Sequence, residues 1–176
     1  LDDAFDPATT LRKSITLVVL DTDRGRARTM SGICNRCELV HYDGVRLHYR
    51  ATLAPKLASL QHRQDSRIYQ DINVIDIVKQ VFAAAGIDKV DYRLTNPYLA
   101  REYVVQYRES ELDFVQRLLE DEGIFYFFEH EEGESTLVLA DSVDAIAADN
   151  KVPITFAMSQ GFGGTDSLTD FRYTRR

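Results

Sequence analysis

Gln106-Tyr107-Arg108-Glu109-Ser110-Glu111-Leu112-Asp113-Phe114-Val115-Gln116-Arg117-Leu118-Leu119-Glu120-Asp121-Glu122-Gly123-Ile124-Phe125-Tyr126-Phe127-Phe128 reads as a strand end, a capped helix, a glycine stop and a second strand. Ser110 is an N-cap with Asp113 three residues on, a short-armed relative of the capping box. Leu112, Val115, Leu118, Leu119 and Glu122 follow the helical period, and Phe114 widens the apolar side toward a core. Asp113 and Arg117 stand four apart with the acid first, the favourable order for a helical ion pair. Gly123 fits the left-handed position that ends a helix without a Cβ clash. The five residues after it are all apolar or aromatic, which predicts a strand covered on both faces. The stretch offers packing rather than chemistry.

Outward from it, the segments fall into place by period and punctuation. Residues 2–10 read as a loop or trailing end. Residues 14–20 are a β-branched run, 21–25 a turn, and 26–40 a returning strand interrupted near Gly32. Tyr42-Asp43-Gly44 supplies a second turn. Val45, Leu47, Tyr49, Ala51 and Leu53 then alternate with Arg46, His48, Arg50 and Thr52, which predicts one buried face and one wet face. Three antiparallel strands joined by tight turns predict most of a barrel or sandwich sheet. Pro55 opens a helical turn over 56–60, and a linking segment at 65–71 follows. Asn73 caps a second helix with Asp76 at N3 and an Ile72/Ile77 staple; Gly86 ends it. Strands are predicted at 88–94, 102–107, 136–140, 152–156 and 168–173, with a turn at Asn96-Pro97, an exposed hairpin loop at 130–134 and a glycine-rich connection at 161–164. The fold class is α+β: an antiparallel barrel or sandwich portion plus a mixed module with two principal helices.

The 176 residues suffice for one domain or two small ones, and the net charge of −7 argues against non-specific nucleic-acid binding. That charge is uneven. Nine Lys/Arg face three acids from Arg24 to Arg67, whereas two Arg face ten acids from Arg108 to Glu134. Solvated faces are the plain reading, and complementary surfaces in an assembly the sharper one. No apolar run is long enough to cross a bilayer, and the first residues have no secretory signal pattern. The opening residues lack an initiator Met and the chain closes directly after a strand-like segment, so it reads as a piece of something longer.

Candidate chemistry is thin. Cys34-Asn35-Arg36-Cys37 is a C-x-x-C, but no second pair completes a zinc site, and positions three apart on a strand project to opposite faces. Two reduced thiols suit assembly in the cytoplasm. His41 and His48 lie near the pair, with His48 on the wet face. Glu129, Glu131, Glu132 and Glu134 surround a hairpin glycine, where full solvation leaves no raised carboxyl pKa for glycosidase work and the order is not that of a calcium loop. No nucleophile elbow, zincin helix or phosphate loop occurs. No catalytic residue, cofactor or metal is expected.

The quoted stretch, with Asp65-Ser66-Arg67-Ile68-Tyr69-Gln70-Asp71 upstream and Thr136-Leu137-Val138-Leu139-Ala140-Asp141 downstream, resembles the hub region of VgrG, the spike protein family of bacterial type VI secretion systems. It is also similar to the baseplate hub of contractile phage tails. The resemblance runs from about residue 11 to 141 and more faintly to 176. It implies that residues 1–62 are part of a first hub barrel and that 63–176 hold the helical module and strands of a second. It marks Arg67, Gln70, Gln106, Tyr107, Glu109, Phe114, Arg117, Leu118, Glu122, Gly123 and Ile124 as structural signature positions. It implies further strand sequence upstream and an OB-like barrel and β-helical spike downstream. The full-length protein would be a homotrimer docked on the Hcp tube ring, with effector and baseplate proteins as further partners. It would be assembled in the bacterial cytoplasm and then injected into a target cell. A phage tail hub is the alternative use of the same architecture, and a hydrolase effector the alternative of another class.

Overall fold

The computed structural model describes residues 6–21, 26–131 and 133–146, and the backbone of two short strands further on. Asp6 accepts from the Ala8 N–H (2.9 Å), and Pro7 at the first helical position turns Pro7–Thr10 (α1) into a single helical turn where a loop is expected from sequence. Ser14–Asp21 (β1), Arg26–Tyr42 (β2) and Leu47–Ala54 (β3) form an antiparallel sheet in the order β1-β2-β3. The turn expected at 21–25 falls largely on residues outside those described. The second turn forms as expected: Asp43 Oδ1 accepts from the backbone of Val45 (2.9 Å) and Arg46 (2.7 Å), and Gly44 takes a φ of 95°.

β2 runs unbroken through Gly32. The glycine is needed there for close approach, since a Cβ would lie 2.9 Å from the Ala54 carbonyl oxygen. The irregularities lie further on, at bulges between Cys34 and Arg36 and between Leu39 and His41. The first changes the reading of the cysteines. Cys34 pairs with Leu53 and Cys37 with Ala51, so the extra residue puts both cysteines on one face rather than on opposite faces. Both are free thiols, Cys34 buried and Cys37 half-buried.

Strict alternation in β3 predicts a buried apolar face, and this expectation fails. Val45, Leu47 and Ala51 remain exposed and Tyr49 and Leu53 only half-buried, and Leu17, Val19 and Leu39 on the neighbouring strands are exposed as well. The core sits elsewhere. The 3₁₀ turn Lys56–His62 leads into Gln64–Ile72 (β4), which pairs antiparallel with Arg101–Ser110 (β6). The supposed linking segment is therefore a strand. Val74–Ala84 (α2), capped by Asn73 accepting from Asp76 N–H at 2.9 Å, and Glu111–Asp121 (α3), capped by Ser110 accepting from Asp113 N–H at 3.0 Å, pack over it. Leu60, Val74, Ile77, Val81, Phe114 and Leu118 are inaccessible to solvent at their centre.

A second three-stranded sheet closes the far side of this core: Val90–Arg93 (β5), Glu134–Ala140 (β8) and Phe125–Glu131 (β7), in the order β5-β8-β7. β8 is central, parallel to β5 and antiparallel to β7, and Leu137 to Ala140 are fully covered. β7 is an edge strand, so Tyr126 and Phe128 are only half-buried despite their all-aromatic run. Thr16 and Ser31 of the first sheet tie to the Gly133 carbonyl of the β7–β8 hairpin. The chain divides into two compact units, Leu1–Val143 and Asp144–Arg176. In the second, Thr155–Phe156 (β9) and Ser167–Leu168 (β10) pair in parallel. The rest of the strands expected at 152–156 and 168–173, and the glycine-rich connection, lie outside the described residues.

Candidate functional site

Of the positions the resemblance marks, Arg67, Gln106, Tyr107, Glu109, Phe114 and Arg117 gather where β4, β6 and the first turns of α3 meet. A bulge in β6 sets the geometry: Arg67 pairs with Gln106 and Asp65 with Glu109, so Tyr107 and Arg108 together oppose Ser66. Arg108 is held in the left-handed region (φ 50°), its N–H donating to Ser66 Oγ (3.2 Å) and its carbonyl accepting from Gln64 Nε2 (2.7 Å). The kink turns Tyr107 outward, 66% exposed, with the Arg108 guanidinium 5.3 Å above its ring. It turns Glu109 back toward α3, where Arg117 Nη2 meets Oε1 at 2.6 Å.

Arg117 also donates to the Val105 carbonyl (3.1 Å) and lies over Phe114. The expected Asp113–Arg117 pair is therefore replaced: Glu109 takes the guanidinium, and Asp113 accepts from the Ser110 hydroxyl at 2.6 Å. Phe114 is sealed from solvent and stacks on Tyr69 at 5.8 Å between centroids. At the other end of α3, Glu122 receives Arg101 (2.5 Å), Gly123 takes a φ of 70°, and the Ile124 N–H returns to the Leu119 carbonyl (2.8 Å). Leu118 lies in the core, and Gln70 on the exposed face of β4 opposite Tyr103.

At the centre of the cluster is Glu111, 1% exposed, which the sequence reading passes over. Its carboxylate takes Arg63 Nε at 2.5 Å and Arg67 Nη2 at 3.2 Å, and Arg67 reaches Asp65 at 2.6 Å. The Tyr69 hydroxyl, then Asp65, holds the Arg67 guanidinium above its ordinary pKa. A signal for Glu111 exists: the helical period carried back from Val115 and Leu118 places position 111 on the buried side. Beside it, Gln106 is also sealed; its amide donates to the Glu109 carbonyl (3.4 Å), while its Oε1 has no partner.

Much of the acidic block is ion-paired within the chain, with Glu111 reaching two arginines of the basic block and the other acids meeting cations that lie between the blocks. Glu111 meets Arg63 and Arg67, Glu122 meets Arg101, Glu129 takes both terminal nitrogens of Arg93, and Glu134 meets Lys89. Glu129 is thus ion-paired and half-buried, Glu134 is ion-paired while still largely exposed as the hairpin reading expects, and Arg93 is held above its ordinary pKa by Glu129, then Asp91. Asp141 anchors the turn after β5. It accepts from the N–H groups of Asn96 and Thr95 (both 2.8 Å) and from the Tyr98 hydroxyl (2.9 Å). The backbone donors, Asn96 first, lower its pKa to about 2 against the opposing effect of burial, while burial and then Asp141 push Tyr98 up to about 12.

No group of three His, Cys, Asp or Glu among the described residues is placed to hold a metal, and no described helix is long and apolar enough to cross a membrane. What lies open instead is apolar sheet: Leu17 to Leu20, Leu39 and Leu47 on the first sheet, and Ile68, Tyr103, Val105 and Tyr107 on the β4–β6 ribbon. Exposed apolar strand faces with free edges are surfaces for other chains. The arrangement is one of a rigid core presenting broad faces.

The phage tail baseplate hub (GPD) family matches residues 1–176. The chain is 43% identical over 126 residues to the type VI secretion system spike protein VgrG1a of Pseudomonas aeruginosa, covering 72% of this chain and 20% of that protein. It is 39% identical over 99 residues to the actin cross-linking toxin VgrG1 of Vibrio cholerae, covering 56% of this chain and 9% of the toxin. The chain thus spans about a fifth or less of the length of these curated relatives. Among solved structures it resembles the E. coli c3393 protein, a type VI secretion component described as similar to T4 phage tail proteins gp27 and gp5. The TM-score is 0.76 at 24% identity, over 88% of this chain and 42% of that one. A chain of the Francisella PdpA–VgrG complex matches with a TM-score of 0.56 at 16% identity, over 85% of this chain and 25% of that one.

Proposed function

The chain belongs to the phage tail baseplate hub family, and we propose that it is the hub segment of a VgrG-like spike in a type VI secretion system. The observation that carries this reading is the 43% identity to a named spike protein over 126 residues. In the proposed assembly, residues 1–62 contribute to a first barrel and 63–176 to the helical module and a second barrel region. Three copies form a platform that sits on the Hcp ring and carries the puncturing spike. The open first sheet and the β4–β6 ribbon are the faces that neighbouring elements of such a barrel cover. Two similar barrels in each of three subunits present six quasi-equivalent elements to a sixfold ring.

The work is mechanical and the segment is not an enzyme. Arg67, Gln106, Glu109, Phe114 and Arg117 hold α3 on the β4–β6 ribbon, and their role is to keep the platform rigid under load. A phage tail hub uses the same architecture. An effector protein is a further proposed partner of the complete protein.

The test is assembly. Light scattering on the 176-residue chain should give a monomer or a weak associate, and extension by fusion to the remainder of the relative VgrG1a should give a stable trimer. An extended protein that stays monomeric at micromolar concentration would refute the trimeric hub.

A further inference from the structure

Two backbone irregularities lie side by side on one wall of a cleft at the foot of the first sheet. The bulge in β2 drops Asn35 out of register with β3 and leaves it exposed. Beside it, Arg12 is held in the left-handed region (φ 63°), pinned by its N–H donating 2.8 Å to the Cys34 carbonyl while the Cys34 N–H returns 2.9 Å to the Lys13 carbonyl. A bulge re-aims a side chain, and a left-handed non-glycine residue persists only where its surroundings impose it. Both features border a cleft of about 580 Å³ between β2 and the 3₁₀ turn Lys56–His62.

Lys56, His62 and Arg63 join Arg12 in lining it, and no carboxylate appears among its lining residues. In a chain of net charge −7 this is a local reversal of sign. Lys56 and Arg63 do have acidic partners, Asp88 and Glu111, but both lie outside the cleft. Arg63 is thereby pre-positioned by a buried carboxylate, with part of its guanidinium still open to solvent. Arg12 makes no ion pair among the described residues. Asn35, Ser59 and Gln61 add neutral hydrogen-bonding groups, and Ile33 and Pro55 an apolar floor.

We propose that this cleft binds an extended acidic peptide segment of a partner protein. A single small anion would need one or two of these cations. The separate placement of three cationic groups, Arg12, Lys56 and Arg63, the apolar floor for aliphatic stems and the unpaired bulge instead suit a chain carrying several carboxylates. The inference does not rest on the hub reading.

The probe is a capped hexaglutamate peptide, titrated into the ¹⁵N-labelled 176-residue chain at low ionic strength, with capped hexaglutamine and inorganic phosphate in parallel. Hexaglutamate should give saturable shifts at Arg12, Asn35 and His62 that weaken as salt is raised, and hexaglutamine should give none. Arg12→Glu and Lys56→Ala, both at exposed positions, should leave circular dichroism unchanged and weaken binding roughly tenfold or more, the loss expected for a charge-assisted contact. The proposal is overturned if hexaglutamate leaves these residues unshifted or if the two variants bind it as the parent does. It is equally overturned if phosphate occupies the same residues as tightly as the peptide.

Discussion

Arg63 and Glu111 are tied twice. The Glu111 N–H donates to the Arg63 carbonyl at 2.7 Å, and the Arg63 Nε donates to the Glu111 carboxylate at 2.5 Å. The first bond closes the backbone where β4 starts and α3 begins; the second satisfies an acid that is 1% exposed. Removing the charge should therefore loosen the junction. Glu111→Gln is expected to cost about 2–3 kcal/mol, below the loss for a fully buried pair because both guanidiniums remain partly in water. Urea unfolding measures it. A cost below about 0.5 kcal/mol, typical of a surface site, would show that the cluster does not hold the junction.

Phe114 makes a different kind of contribution, through volume. It is inaccessible to solvent, stacked on Tyr69 and covered by Arg117. Phe114→Ala should cost roughly 3–5 kcal/mol, the range for an enclosed aromatic side chain. Leu112→Ala on the half-buried flank of the same helix should cost less. Chemical denaturation of both variants gives the comparison, and the reverse order would contradict the placement of the core.

How much of this is legible in the sequence depends on how local the signal is. Both helices can be read because their caps, periods and stopping glycines lie within a few residues. The strand at 65–71 cannot, because its alternation is broken by charge and its partner β6 is about 40 positions away. The parallel pairing of β5 with β8 is equally non-local. The exposed face of β3 contradicts its alternating pattern because period reports which residues want cover, not whether a described layer supplies it. Glu111 is hidden for another reason: an acid reads as surface until the guanidiniums that surround it are placed.

The Asp141 turn predicts a pH dependence. Its pKa is lowered from its ordinary 3.8 to about 2, so its contribution is fully present above pH 4 and is lost as pH falls toward 2. Asp141→Asn should remove the part of the acid-induced loss of stability that falls between those values. Parallel urea titrations at pH 5, 3 and 2 check this. An unchanged acid slope in the variant would place the low-pH sensitivity elsewhere.

Cys34 and Cys37 share a face two strand positions apart, roughly 7 Å along the strand, at the outer limit of disulfide geometry. Both should be present as free cysteines. A denaturing thiol assay without reductant should find two per chain, and a count near zero would show that β2 can close the bridge.

The central claim is that this chain works as the hub segment of a secretion spike. Its most direct test replaces the matched 126-residue segment of Pseudomonas aeruginosa VgrG1a with the corresponding residues of this chain and measures Hcp released into the medium. Trimer formation by the chimera serves as the folding control. The account predicts a trimeric chimera that restores Hcp release in a strain lacking its own spike proteins. A chimera that folds and trimerises but releases no Hcp would contradict it.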